Sequence, residues 1–153
     1  MKQPEVVELE TRFVIGFGKT YQMSELGQIA QLWGVFGQRK EEIPEADTSC
    51  AYGVGQKVGV DGALQLHYVA GMASTAAAAP DGLERIELPG GKYLKFTHEG
   101  DISKLPATFD WIFTEGVPNS GLKRRDTPEF EYYDSRFKVD SDESAFDIFV
   151  PVE

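Results

Sequence analysis

A short acidic and aromatic stretch near the carboxyl end of the chain offers the most distinctive chemistry. Residues 128–133 read Pro-Glu-Phe-Glu-Tyr-Tyr, and strand alternation places Glu129, Glu131 and Tyr133 on one face. This face could simply be solvated, because a buried glutamate is rare unless it is paired. Alternatively, Glu131 could lie among aromatic rings, where its charge and cation-π contacts of about 0.5 to 2 kcal/mol would attract an organic cation. Desolvation would then raise its pKa, and a bound cation would lower it again.

Trp111 is the second residue whose position suggests a ligand. It lies in a predicted helix whose apolar stripe should face a sheet, yet on a helical wheel it points about 180° from Ile102, the first residue of that stripe. Two interpretations remain open: Trp111 packs on a neighbouring loop, or it forms a wall of a crevice. The stripe consists of Ile102, Leu105, Phe109, Ile112 and Phe113.

Other chemistries find little support in the residue spacing. The glycines of 16–20 and 53–59 match neither the phosphate-binding loop nor the dinucleotide fingerprint, so we interpret them as structural. His67 and His98 are far apart, and neither a His-Glu-x-x-His nor a Gly-x-Ser-x-Gly motif occurs. Cys50 is a single cysteine, which is typical of a small buried hydrophobe. We therefore predict no metal, no cofactor and no catalytic residue.

Composition narrows the class of protein. The 153 residues include 25 acidic and 15 basic side chains, so the net charge is −10 and direct nucleic-acid binding is disfavoured. A hydrophobic fraction of 41% can close the core of one domain, which we place at 1–153. One cysteine excludes an intramolecular disulfide, and no apolar run resembles a signal peptide or a membrane span. We expect a soluble protein of the cytoplasm.

The elements that must position these residues occur in a repeated order. A strand is predicted over 6–21, an amphipathic helix over 23–39, and two hairpin strands over 50–58 and 64–74 around a turn at 59–62.

After a connector at 76–82 the order begins again. A strand over 83–98 is interrupted at 89–91, the helix of Trp111 follows, and strands over 130–137 and 145–152 close the chain.

The repeat predicts the fold class. Half-repeats of about 4–75 and 82–153 place Trp33 and Trp111 in the two helices, and Tyr52 and Tyr133 in the strands after them. Strands paired through hairpins, with helices on one side, give an α+β fold built on an antiparallel sheet. Two such halves related by a pseudo-twofold axis leave a crevice at their junction, where we expect a ligand.

Several ordered motifs give the chain a family resemblance. The segment Lys-Tyr-Leu-Lys-Phe-Thr-His-Glu-Gly at 92–100, the helix that ends near Trp111, the Pro-x-Phe-Glu-x-Tyr pattern around Glu131, and Phe-Asp-Ile-Phe-Val-Pro-Val at 146–152 resemble the GyrI-like small-molecule-binding superfamily. This superfamily includes the effector-binding domains of AraC-type and MerR-type regulators. The length of the chain is also similar to that of the cationic-drug-binding modules carried on integron gene cassettes.

The resemblance implies tandem strand-helix-strand-strand units around a central aromatic pocket. In the family, a glutamate of the Phe-Glu-x-Tyr strand contacts cationic ligands, and this position is Glu131 here. Trp111 matches the family's late-helix tryptophan, and Tyr133 matches the motif tyrosine. The sequence departs at Ile112 and Phe113, where the family often has Leu-Pro.

We therefore expect a binding module for lipophilic, often cationic small molecules, with Glu131 as the charge anchor. Candidate aromatic walls come from both halves: Trp111, Tyr133, Tyr68, Tyr52 and Trp33. The choice of Tyr52 and Tyr68 is based only on their positions in the middle of predicted strands. Trp33 lies on the apolar stripe of its helix, which favours a role in core packing.

Two other functions stay open at this point. Some proteins of the superfamily hydrolyse strained cyclopropane electrophiles, for which Glu131 and Trp111 would again act. Others inhibit gyrase, in which case an acidic surface would bind a protein. Only about five residues precede the first predicted strand, too few for a helix-turn-helix domain, so we expect any transcriptional signal to need a partner regulator chain or a homodimer.

Overall fold

The computed structural model of the chain describes residues 3–60 and 62–153, in which eight strands form one antiparallel sheet. The order across the sheet is β1-β6-β8-β7-β3-β4-β2-β5. The predicted α+β architecture with an antiparallel sheet is confirmed, whereas the predicted turn at 59–62 includes Asp61, which lies outside the described residues. The strands are β1 (Glu5–Leu9), β2 (Arg12–Gln22), β3 (Ala51–Val60), β4 (Ala63–Ala73), β5 (Glu84–Leu88), β6 (Gly91–Glu99), β7 (Glu129–Tyr133) and β8 (Ala145–Pro151).

Two main helices cover one face of the sheet. Helix α1 (Ile29–Arg39) follows a 3-10 segment at Met23–Gln28, so the amino-terminal third of the predicted 23–39 helix is more tightly wound than expected. Helix α2 (Leu105–Trp111) follows a 3-10 turn at Ile102–Lys104.

The chain after α2 stays helical but changes its winding. A π-helical turn at Ile112–Gly116 leads into a short helical turn at Val117–Asn119, and a further 3-10 turn, Lys40–Glu42, ends the first helix.

The two halves exchange their outermost strands. Each predicted first strand divides in two, at Glu10 and Thr11 in the first half and at Pro89 and Gly90 in the second. As a result β1 pairs with β6 of the other half, and β5 pairs with β2. The two breaks touch, because the Gly90 amide donates to Thr11 Oγ1 at 2.9 Å and a Cβ on Gly90 would lie 2.8 Å from the Thr11 nitrogen. The sheet curls, since short links join strands from its opposite ends.

The centre of the sheet is the junction of β3 and β7. Gly53 of β3 pairs with Glu131 of β7, and the same offset along the chain separates Trp33 from Trp111. This junction is therefore the pseudo-twofold axis predicted from the repeat.

Three apolar clusters hold the layers together. One cluster on the inner face of the curl contains Val14, Val69 and Phe130. A second, with Leu32 and Phe36, packs α1 onto the first half, and a third packs α2 onto the second half. Because the two helices pack over different halves, the strands between them, β3 and β7, form the floor of a groove.

Candidate functional site

Glu131 lies in the middle of β7, on the face of the sheet that carries the helices. Phe130 and Tyr132, its neighbours in sequence, belong to the cluster on the opposite face. The alternation predicted for 128–133 is therefore confirmed. The side chain of Glu131 rises from the groove floor, between the parts of the sheet covered by α1 and by α2.

Two tyrosine hydroxyls hold one oxygen of this carboxylate. Tyr68 from β4 donates to Glu131 Oε1 at 2.8 Å, and Tyr133 donates to the same oxygen at 2.7 Å. The Tyr68 hydroxyl in turn accepts from Trp33 Nε1 at 3.2 Å. Among the described residues, Glu131 Oε2 has no hydrogen-bond partner and Glu131 has no salt bridge. The carboxylate is thus oriented by neutral donors, and one of its oxygens remains available.

The pairing with Gly53 makes this arrangement possible. A Cβ at this position would collide with the Tyr68 hydroxyl and lie 2.7 Å from Glu131 Oε1. Glycine therefore leaves the space in which the phenol of one half reaches the carboxylate of the other.

Aromatic rings surround the carboxylate. Tyr133 stacks on Phe146 with ring centroids 4.5 Å apart, and the edge of Trp33 meets Tyr133 at 5.3 Å. Trp33 also meets Tyr68 edge to face at 6.4 Å. Such rings present π-electron faces and apolar edges to whatever enters between them.

Burial changes the titration of the site. It raises the pKa of Glu131 to about 7, against the lowering effect of the hydrogen bonds from Tyr133 and Tyr68, and the nearby Glu129 raises it further. Protein atoms crowd Glu131 on every side, yet the residue keeps partial contact with solvent, as expected for a side chain deep in a crevice. Near neutral pH the carboxyl group is therefore divided between its charged and neutral forms.

Comparison with known proteins identifies the family of the chain. The GyrI-like small molecule binding domain matches residues 2–153. The chain belongs to this family. The transcriptional regulator BrlR of Pseudomonas aeruginosa is 33% identical over 129 residues, which cover 81% of this chain and 46% of BrlR. The chain thus spans about half the length of this relative.

Solved structures of other proteins share the fold, SAV2435 and EcmrR among them. SAV2435 bound to tetraphenylphosphonium superposes with a TM-score of 0.80 at 18% identity, covering 99% of this chain and 94% of SAV2435. EcmrR, in a complex with DNA, gives a TM-score of 0.72 at 16% identity, covering 99% of this chain and 57% of EcmrR. The family predicted from the sequence motifs is confirmed.

The GyrI-like domain brings four of the six predicted site residues together. Glu131, Tyr133, Tyr68 and Trp33 form one connected set. Tyr52 is elsewhere, because it projects from the opposite face of β3.

Tyr52 has structural partners on that face. Its hydroxyl accepts from Arg12 Nη1 at 2.7 Å, and its ring packs against Phe130 and Tyr132. Tyr52 and Tyr133 lie in the strands after the two helices, as predicted, and the pseudo-twofold offset makes Phe130 the counterpart of Tyr52. The register between strands decides which residues of the two halves correspond and which face each side chain occupies, and the order of elements in the repeat does not reveal that register.

Among the described hydrogen bonds and ring contacts, none joins Trp111 to Glu131 or to the tyrosines that hold its carboxylate. The ring of Trp111 packs edge-on against Phe96 at 6.0 Å, and β8 separates that strand from β7. The prediction that Trp111 points off the core face is wrong, because the buried residues of this helical segment are Thr108 and Ile112, and not the centre of the predicted stripe. Trp111 lies about 60° from Thr108 on the helical wheel, and it packs against the buried cluster of the second half.

The histidines and the cysteine have structural surroundings. His98 is buried, with Nδ1 2.7 Å from Thr108 Oγ1 and Nε2 3.0 Å from the Asp101 carbonyl oxygen. His67 lies between a threonine and a glutamate at the surface. Burial raises the pKa of the Cys50 thiol, which disfavours the reactive thiolate. Within residues 3–60 and 62–153, no group of three or more candidate ligands could hold a metal ion.

Two cavities lie outside the Glu131 cluster. One, of about 260 Å³, opens at the end of the same groove, beyond Glu129. The other, of about 380 Å³, is an open depression between Asp101, Lys104 and Asp142. Glu131 lines neither of these two cavities.

No helix in the described part of the chain has the length and apolar character that crossing a membrane requires.

Proposed function

We propose that this GyrI-like domain binds lipophilic organic cations between α1 and the strands β3 and β7, with the Glu131 carboxylate as the charge anchor. The observation that carries the proposal is the hydrogen bonding of Glu131. Two phenols hold Oε1, Oε2 has no partner among the described residues, and no described cationic side chain neutralises the charge.

The electrostatics of the site favour a cationic ligand. Burial without an ion pair disfavours the charged carboxylate, which is why its pKa lies near 7. A cation beside Oε2 would supply the missing opposite charge and restore ionisation. The same crevice, partly closed to water, makes that interaction stronger than it would be at an exposed surface.

The aromatic rings favour a lipophilic ligand. Trp33, Tyr68 and Tyr133 can contact flat apolar groups, and their π faces attract positive charge by about 0.5 to 2 kcal/mol each. We expect Trp33 to turn away from the tyrosines when a ligand enters, since its ring fills the space above them. One charge and a few ring contacts correspond to micromolar affinity, about −8 kcal/mol. The tetraphenylphosphonium bound to SAV2435 is a ligand of this class.

We further propose that the domain acts in effector sensing or sequestration in the cytoplasm. BrlR is a transcriptional regulator, and EcmrR is found on DNA, so a GyrI-like domain can work together with a DNA-binding domain. A chain with net charge −10 disfavours direct contact with DNA. Any signal to transcription would therefore pass through a regulator domain, a partner chain or a second copy.

Calorimetric titration with tetraphenylphosphonium tests the proposal, with triphenylphosphine oxide as a neutral ligand of similar shape. We expect Glu131→Gln to weaken phosphonium binding at pH 8 about tenfold or more, because the amide keeps the shape of the anchor and loses its charge. Binding of the oxide should change less than twofold.

The matched control is Glu87→Gln, which removes a carboxylate from the exposed side of β5. This variant should bind the phosphonium like the wild type. Equal phosphonium affinity of the wild type and Glu131→Gln would rule out Glu131 as the anchor.

A further inference from the structure

The groove continues beyond Glu131 past two positions of β3 that carry no side chain. Gly53 and Gly55 lie on the helix-covered face of β3, and they pair with Glu131 and Glu129 of β7. The nearest atom to a Cβ on Gly55 would be Leu66 Cδ1, at 3.5 Å. The floor is therefore flat between the two glutamates, which stand one strand repeat apart, about 7 Å.

The cavity at the outer end of this floor gathers positive charge. Arg124 Nη2 binds Glu129 Oε2 at 3.0 Å, and its guanidinium lies over the Phe113 ring at 4.6 Å. Lys57 is close enough to lower the pKa of Glu129, which burial raises. The cavity of about 260 Å³ is lined by Gly55, Gln56, Lys57, Arg124, Arg125, Asp126, Thr127 and Glu129.

Two of these lining residues carry polar groups that the described residues do not fully satisfy: a charge without a carboxylate partner, and a hydroxyl without a hydrogen bond. Arg125 directs its guanidinium to the backbone carbonyls of Val152, Lys92 and Gly90, at 2.8, 3.0 and 3.3 Å. None of these partners is a carboxylate, so the charge of Arg125 adds to the local positive potential. The hydroxyl oxygen of Thr127 is buried and has no hydrogen-bond partner among the described residues. A buried hydroxyl without a hydrogen bond destabilises the fold, and a ligand that supplied a donor or an acceptor would remove this cost.

The charge of this cavity is opposite in sign to the net charge of the chain. Lys57, Arg124 and Arg125 face only Asp126 and Glu129, so the lining has a positive balance, whereas the whole chain has a net charge of −10. A groove with a carboxylate at its inner end and excess positive charge at its outer end is complementary to a dipolar molecule.

We infer that the preferred ligands of this groove are elongated zwitterions, with an aromatic cation at one end and a carboxylate at the other. This inference rests on the proposed function, because the cationic end occupies the Glu131 site. The carboxylate accepts from Lys57 and Thr127 at the outer cavity. The two charges of the ligand stand about one to two strand repeats apart, roughly 7 to 14 Å.

A pair of dyes tests the inference: a rhodamine with a free carboxylate, and the methyl ester of the same dye. The two share the aromatic cation, and the ester replaces the negative carboxylate by a neutral group with one more methyl. Fluorescence anisotropy gives the dissociation constant of each dye, and the ratio of ester to acid dissociation constants measures recognition of the carboxylate. We expect Lys57→Gln to lower this ratio about threefold to tenfold.

The control is Lys123→Gln, which removes the same charge from an exposed residue of the neighbouring loop, outside the cavity lining. This variant should leave the ratio within about twofold of the wild type. An equal ratio in the wild type and Lys57→Gln would overturn the zwitterion inference while binding of the ester remained. If neither dye bound the wild type, or if Glu131→Gln bound the ester as tightly as the wild type, the proposed function itself would fail.

Discussion

The Glu131→Gln substitution should make the ligand-free domain more stable at alkaline pH. The carboxyl group has a pKa of about 7 in the folded chain, against an ordinary value of 4.5, because burial disfavours its charge. Between these values the folded state holds a proton that the unfolded state has released. The contribution of Glu131 to stability is therefore complete below pH 4.5 and is lost as the pH rises through 7.

The size of the effect follows from the shift. A change of one pKa unit corresponds to about 1.4 kcal/mol, so the shift of Glu131 removes about 3 kcal/mol of folding stability between pH 4.5 and pH 8. Glutamine has the shape of the protonated acid, and its amide oxygen can still accept from Tyr68 and Tyr133. The variant should thus resemble the wild type at pH 4.5 and exceed its stability by about 1 to 3 kcal/mol at pH 8.

Urea unfolding at half-unit steps from pH 4.5 to 8.5 measures the difference between the two proteins. Subtracting the variant from the wild type removes the titration of the other acidic groups. Glu87→Gln should give a flat difference over the same range. A flat difference for Glu131→Gln as well would refute the argument, because it would mean that the Glu131 carboxylate is solvated in the folded chain.

Three further substitutions probe the geometry around the anchor. Gly53→Ala places a methyl group against the Tyr68 hydroxyl and Glu131, so we expect the free energy of unfolding to fall by about 1 to 3 kcal/mol and phosphonium affinity to fall with it; an unchanged urea midpoint would contradict the close packing at Gly53. Trp33 lies on the two tyrosines whereas Trp111 lies on Phe96, so the change in tryptophan emission caused by tetraphenylphosphonium should persist in Trp111→Phe and disappear in Trp33→Phe. The reverse pattern would move the ligand to the second helix.

Local patterns predicted the elements that carry the site. The alternation of 128–133 correctly separated Glu131 from Phe130, because the side chains of a strand alternate whatever lies beyond it. The repeat correctly placed Trp33 and Trp111 at equivalent positions in two helices. These features depend on residues that are close in sequence, and the chain alone can show them.

Contacts between distant strands were beyond the same reasoning. Nothing local shows that Gly53 pairs with Glu131, or that Tyr52 and Tyr68 project from opposite faces of the sheet, since both facts depend on the register between strands. The orientation of Trp111 also escaped prediction, because the sheet buries the helix face of Thr108 and Ile112, which the apolar stripe did not identify. The glycines of 53–59 were a usable signal, since residues without side chains on alternate positions of a strand favour a close approach.

The exchange of outer strands between the halves has a consequence for how such a site can arise. Each half takes its outermost strand from the other, so a lone half would need a second copy to complete its part of the sheet. Two identical copies would place the same residue on both sides of the axis at the centre: two carboxylates that repel each other, or two glycines without an anchor. A single polypeptide that joins both halves escapes this symmetry, because duplicated segments can diverge independently. The facing pair of Gly53 and Glu131 shows that divergence, with room on one side of the axis and charge on the other.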